Sequence, residues 1–168
     1  MDNDTEVRVL NAPPRTGFIM RIPPPLLFVA TFLAGAGLQR LAPLGTAPAN
    51  LATAAGFAGF GLIAAALLLM LSSVGMFLGS RTTLIPFGNA SRLIASGPYR
   101  ITRNPMYLGL VLLYVGVAGV LGEPWTLILL PLPVLLIHRI VIPFEEARMR
   151  QIFGDTFASY CDRVRRWI

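Results

Sequence analysis

Residues 41–80 contain no Asp, Glu, Lys or Arg, and this uncharged run limits the possible folds more than any other feature of the chain. A helical bilayer span needs about 20 predominantly apolar residues. A run this long holds a whole span with its flanks, and it would leave the surface of a soluble domain without charge. The rest of the chain agrees. Of its 168 residues 55% are hydrophobic and only 13% charged, against about 25% charged in ordinary soluble domains. Mean hydropathy is +0.67, which excludes a disordered chain. Length and clustering together predict an all-α fold, a polytopic membrane helical bundle of about four transmembrane helices with a cytoplasmic C-terminal amphipathic helix.

Three stretches organise the chain. Residues 1–23 are a polar N-terminal segment. Residues 24–80 form a two-helix transmembrane hairpin. Residues 81–168 carry a polar linker, a second hairpin and a C-terminal helix. The first span, about 24–41, opens on Pro23, Pro24 and Pro25, where missing amide protons cost least. A signal peptide is the rival reading of this stretch, with a small-residue site near Ala47 and Ala49. The second span lies within about 50–80 and is rich in Gly56, Gly59, Gly61, Ala64, Ala65 and Ala66. Helices in lipid are held by close packing at such small residues, so these positions are read as structural and also permit a homodimer.

The third span, about 105–121, places Asn104 as N-cap and Pro105 as first helical residue. The fourth, about 125–143, contains Pro131 and Pro133 and is expected to kink. Beyond it, Phe153, Phe157, Tyr160, Val164 and Trp167 step by three and four, which predicts one apolar stripe on a tail helix. That helix is expected to lie on the membrane surface or on the bundle's own cytoplasmic face.

All 14 basic residues are Arg, against 8 acids. With four spans both termini share a side, and that side receives every Arg except Arg40. The bias of basic residues towards the cytoplasm then puts both termini, and any site between them, in the cytoplasm, with the inner or plasma membrane of a bacterium as the expected location. The same bias accounts for the net charge of +6 without a nucleic-acid partner. One Cys (Cys161) and one His (His138) effectively exclude a Cys/His zinc site. His138, Tyr160 and Trp167 are read as interfacial residues, and Cys161 as inert.

Membrane topology does not dictate how the remaining polar residues are arranged. They form two blocks at the cytoplasmic ends of the second hairpin. Residues 96–107 read Ser-Gly-Pro-Tyr-Arg-Ile-Thr-Arg-Asn-Pro-Met-Tyr. The other block starts at Glu145-Glu146, continues through Phe153-Gly154 and Tyr160, and ends on Arg165, Arg166 and Trp167. A short hairpin brings these ends together. They offer a helix N-terminus, two acids, aromatic faces and guanidiniums, a set suited to a ligand with both an anionic and a cationic group.

Gly-x-Tyr, Arg-Asn-Pro-x-Tyr, a helical hairpin, Glu-Glu-x-x-Met, Phe-Gly, Tyr and a basic end together resemble the isoprenylcysteine carboxyl methyltransferase family, over about residues 84–167. The related phospholipid N-methyltransferases share much of this pattern. The resemblance implies S-adenosyl-L-methionine as cofactor and methylation of a lipophilic or amphiphilic acceptor at the membrane, of the isoprenylcysteine-like carboxylate or phospholipid amine class. Carried over by position, it implies a cofactor site of Leu93, Ile94, Gly97, Tyr99, Asn104, Pro105 and Tyr107, closed by Glu145 or Glu146. Glu146 is favoured because it begins the Glu-x-x-Met step into the tail. Asn104 stands where His is common, Ser91 where the eukaryotic carboxyl methyltransferases have His, Met149 where Leu is usual, and Phe157 where Tyr is frequent. These departures bear on the substrate more than on the cofactor.

Methyl transfer from a sulfonium depends on in-line approach and exclusion of water, so no triad or metal cluster is required. A carboxylate acceptor needs only orienting cations, for which Arg103 and Arg139 are the candidates. An amine or thiol acceptor needs a base, and Glu145 or Glu146 can serve. Two other classes stay open on sequence. One is a membrane reductase using a nicotinamide cofactor, which 168 residues argues against. The other is a non-catalytic four-span protein such as a small transporter subunit, which should carry an ionisable residue inside a span; the first two spans show none.

Overall fold

The computed structural model describes residues 22–45, 54–79 and 93–168. The polar N-terminal segment and most of the linker, with Arg81, Ser91 and Arg92, lie outside the described residues. Every regular element among those described is helical. Helix α1 is Pro24–Leu41, α2 is Ala54–Gly79 and α3 is Pro105–Leu121, with a 3-10 turn at Gly97–Arg100 between the last two. The next run comprises α4 (Pro124–Leu129), α5 (Pro131–Leu136), a π turn at Ile137–Val141 and α6 (Ile142–Arg163).

Two described helices are long and apolar enough to cross a membrane: Gly56–Met76 within α2, and the continuous run Pro124–Arg163. Only 17% and 22% of their most apolar windows is buried. Apolar faces turned outward in this way suit lipid and would be costly in water. Helix α3 is a shorter apolar helix.

The sequence places α1 and α2 together as a hairpin, yet the principal packing pairs are α2 with α3 and α1 with α4. Glycines explain the pairing. A Cβ on Gly59 would come within 2.8 Å of Val120, and one on Gly116 within 2.8 Å of the Gly59 carbonyl and of Ile63. A Cβ on Gly35 would meet the Thr126 backbone at 2.6 Å. Gly56, Gly59, Ala66 and Ser73 are buried, marking one face of α2, whereas Gly61, Ala64 and Ala65 are exposed. The small residues of α2 therefore serve the α3 contact on one side only.

The core lies between these pairs. Phe28, Tyr114, Ile137, Val141 and Ile142 form a buried cluster, with Phe28 and Phe32 edge-on to the Tyr114 ring. The Tyr114 hydroxyl donates to the Thr126 carbonyl at 2.9 Å, which satisfies its polar end inside the bundle.

The proline kink takes a specific form. Leu130 keeps helical angles (φ −52°, ψ −37°), so Pro131 interrupts the hydrogen-bond ladder without bending the backbone out of the helical region. The wide turn comes later, as the π turn that ends two residues before Pro143. The tail also departs from a single helix. Gly154 adopts φ 50°, ψ −126°, and Val164 is extended (φ −126°, ψ 129°), so α6 breaks in the middle and ends before Trp167.

Candidate active site

The start of α3, the start of α6 and the tail after α6 converge at one end of the bundle. Asn104 and Pro105 sit in the cap and first-helical positions read from sequence, but the Asn104 side chain does not cap the helix. Its Nδ2 donates to the Arg166 carbonyl at 2.9 Å. The Thr102 hydroxyl donates to that same carbonyl at 2.9 Å and accepts the Asn104 amide at 3.1 Å. The Arg103 amide donates to the Arg165 carbonyl at 2.9 Å. Residues 102–104 and 165–166 are thus zipped together by backbone and side chain.

The two glutamates then take different partners. Glu146 is buried and receives both Nε and Nη2 of Arg166, at 2.9 and 2.6 Å. Arg103 Nη2 lies 3.3 Å away and Arg150 Nη2 3.8 Å. Burial alone would raise the Glu146 carboxyl. The Arg166 hydrogen bonds and the charges of Arg103 and Arg150 outweigh it and hold the group below the usual carboxylate range.

Glu145 stands two residues past Pro143, and its Oε1 accepts the Tyr107 hydroxyl at 2.7 Å. Burial pushes its carboxyl up to about 7; the Tyr107 bond opposes the rise and the Glu146 charge adds to it. The sequence preference for Glu146 as the ligand-facing acid meets a geometry in which the two acids have different partners. Three guanidiniums occupy Glu146, and Glu145 is the acid placed against an aromatic hydroxyl.

Tyr99 completes this wall. It is buried in the 3-10 turn, and burial, then the neighbouring Tyr160 and Glu145, push its hydroxyl well above its ordinary value. The Tyr160 hydroxyl donates to the Tyr99 carbonyl at 2.7 Å, anchoring the turn to α6. Gly97 holds φ 58°, where a side chain would be strained, and a Cβ there would meet Met76 of α2 at 2.6 Å. Ile94 is buried, and Leu93 packs on the cluster of Phe157, Tyr160 and Val164. Arg139 is different: it is exposed on the π turn, while Arg103 is drawn into the site.

Among the described residues, Arg103 Nε is a buried donor with no partner. The other such atom, Glu123 Oε2, follows the far end of α3, roughly 25 Å along the helix. The donor set suits a zwitterionic cofactor. Arg103 Nε can take a carboxylate oxygen, Glu145 can take a cationic group, and Tyr99 and Tyr107 offer aromatic faces.

Sequence reasoning missed the roles of His138 and Trp167. The Trp167 indole Nε1 donates to His138 Nδ1 at 3.1 Å, and its ring packs on the bundle core. The one available signal was a Trp ending a basic tail, which reads equally well as an interfacial anchor.

A family model described as phospholipid methyltransferase matches residues 48–156. It begins well before residue 84 and so takes in the second span. Relatives include a probable protein-S-isoprenylcysteine O-methyltransferase of Oryza sativa subsp. indica, 31% identical over 80 residues, which is 48% of this chain and 42% of the relative. Protein-S-isoprenylcysteine O-methyltransferase B of Arabidopsis thaliana is 33% identical over 73 residues, 44% of this chain and 37% of the relative. The matched part of this chain thus spans less than half the length of these curated relatives. No solved structure matches. The family match covers more than half of the chain, including the second span, the Arg-Asn-Pro-x-Tyr segment and both glutamates, and the chain belongs to the phospholipid methyltransferase family.

Proposed function

We propose that this protein is an integral membrane methyltransferase that uses S-adenosyl-L-methionine to methylate a lipophilic or amphiphilic acceptor. The acceptor is of the isoprenylcysteine-like carboxylate or phospholipid amine class. In this reading four helices span the bilayer, both termini face the cytoplasm, and the site opens where the acceptor's head group meets cytosolic cofactor. The observation that carries the reading is the Tyr107–Glu145 pair, set between the Arg103–Glu146–Arg166 cluster and the Tyr99 turn, in a chain of this family.

Bound S-adenosylmethionine would supply an electrophilic sulfonium methyl group to the acceptor's lone pair. The protein's share is placement and exclusion of water, the terms that dominate such transfers. Arg103 Nε orients a carboxylate, and Tyr107 holds the Glu145 carboxyl in one orientation. An acceptor that is already a carboxylate needs no base. An amine acceptor releases a proton, and Glu145, with its carboxyl near 7, takes it at Oε1 or Oε2.

Calorimetric titration of the purified protein in detergent tests this reading. Wild type binds S-adenosylmethionine, and Glu145→Gln binds it about tenfold more weakly, a difference of about 1.4 kcal/mol. Unchanged affinity in Glu145→Gln would remove this acid from the donor site, and a wild type that binds nothing would remove the reading itself.

A further inference from the structure

The tail after α6 makes a series of contacts that the methyl-transfer reading does not use. Val164 leaves the helix in extended form, and residues 165–167 run back across the end of the bundle. Along this strap, the Arg165 carbonyl accepts the Arg103 amide, and the Arg166 carbonyl accepts both Thr102 and Asn104. The Arg166 guanidinium closes on Glu146. The Trp167 indole reaches the π turn and donates to His138. One short segment thereby ties two elements that carry the site, the loop before α3 and the start of α6, to the π turn beside them.

The geometry sorts these contacts into cargo and fastening. A carbonyl has two lone pairs, and Arg166 spends both on residues 102–104, so the strap's position decides where the Asn104 amide points. Its guanidinium satisfies both Glu146 oxygens, which ties Glu146 into the cluster with Arg103 while Glu145 pairs with Tyr107. Both contacts gain direction from a fixture beyond Arg166, in addition to the bond at Arg165. Trp167 supplies that fixture. Its ring packs against the cluster of Phe28, Tyr114, Ile137, Val141 and Ile142, and its one donor is spent on His138. A π turn widens the helix where it forms, and this one carries His138 at the place where the indole arrives.

We propose that Trp167 and His138 are positioning residues: their bond latches residues 164–167, whose Arg166 holds Asn104 and Glu146 in the arrangement that presents Glu145 and Tyr107 to the methyl donor. The proposal rests on the reading that this site binds S-adenosylmethionine. Neither residue touches the donor. Both act through Arg166.

Conservative variants separate positioning from packing. Trp167→Phe keeps an aromatic ring in the core and loses only the donor. His138→Leu removes the acceptor, and His138→Gln supplies a side-chain carbonyl in its place. The probe is S-adenosylmethionine, titrated into each purified full-length variant in detergent, with the thermal midpoint recorded in parallel. Trp167→Phe and His138→Leu are each expected to weaken binding about fivefold, the size of one net hydrogen bond. His138→Gln should stay within about twofold of wild type, and the Trp167→Phe/His138→Leu double variant should be no weaker than either single one, since both remove the same bond.

Wild-type affinity in both single variants would overturn the latch while leaving the methyltransferase reading standing. Additive losses in the double variant, or a lowered midpoint with unchanged affinity, would show that the two residues serve stability alone and would also overturn it. Failure of wild type to bind the probe would bring down the functional reading, and the latch with it.

Discussion

Glu145 and Glu146 follow one another in the chain, and a helix turns about 100° per residue, so their side chains leave in different directions. That much is legible in the sequence, and so is the need for one of the pair to meet arginine. Which one does is not legible, because the arginine responsible arrives from the tail, twenty residues on. The consequences of losing each acid differ accordingly. Glu146→Gln leaves Arg103 and Arg166 facing a buried site without a counter-charge. We expect a loss of about 3 kcal/mol of stability, read as a lowered unfolding midpoint in detergent. Most of that loss falls on Arg103 and Arg166, because Arg150 is more than half exposed and its pair is screened. A midpoint like that of wild type would contradict the cluster's structural role.

Glu145 titrates the other way. Its folded-state value is raised from 4.5 to about 7, so the fold favours its neutral form. The stability it contributes is complete below about pH 4.5 and is lost as pH rises through about 7. Relative to Glu145→Gln, wild type should lose midpoint temperature across that window. Parallel curves for the two proteins would show that the carboxyl is not held neutral by burial.

At the scale of elements, apolar runs and prolines marked where helices begin, and α1 and α3 start on the prolines the sequence points to. Pairing was less accessible. Every small residue of the second span looks alike in sequence, yet a close approach needs a glycine on each side or a backbone opposite, which only the assembled bundle reveals. The difference is measurable. Gly35→Ala drives a methyl into the Thr126 backbone, which cannot swing aside as a side chain can, and should cost about 1–3 kcal/mol. Gly61→Ala meets nothing within 4 Å and should be neutral or slightly stabilising, since Ala is the better helix former. Equal midpoints for the two variants would contradict the packing of α1 on α4.

The tail failed to read as drawn for a related reason. Its spacing by three and four describes a helix through Trp167. Gly154 and the extended Val164 end that helix earlier, under the pull of hydrogen bonds to residues far away in sequence. Phe157, Tyr160 and Val164 still bury together, against Leu93 of the linker, so the stripe served the bundle's own surface.

Across the described residues, one end of the bundle collects the ion pairs, and the flanks are apolar and outward-facing. That arrangement is what the proposed transfer between a water-soluble donor and a lipid head group requires. The residue pattern made the family recognisable because its elements sit at the ends of apolar helices, where hydrophobic packing alone has no use for Asn, Tyr and paired Glu. The proposed acceptor stayed illegible because apolar surface specifies a lipophilic molecule only loosely.

Transfer of label tests the central claim most directly. Purified protein in sealed vesicles would be given methyl-tritiated S-adenosylmethionine, with a mixed lipid fraction containing phospholipid amines and prenylated cysteine analogues. The account predicts tritium in the organic extract, a marked loss of that label in Glu145→Gln with an amine acceptor, and label only when the donor is on the side of the termini. No organic-phase label from wild type, in a preparation that is folded and supplied with donor on both faces, would contradict it.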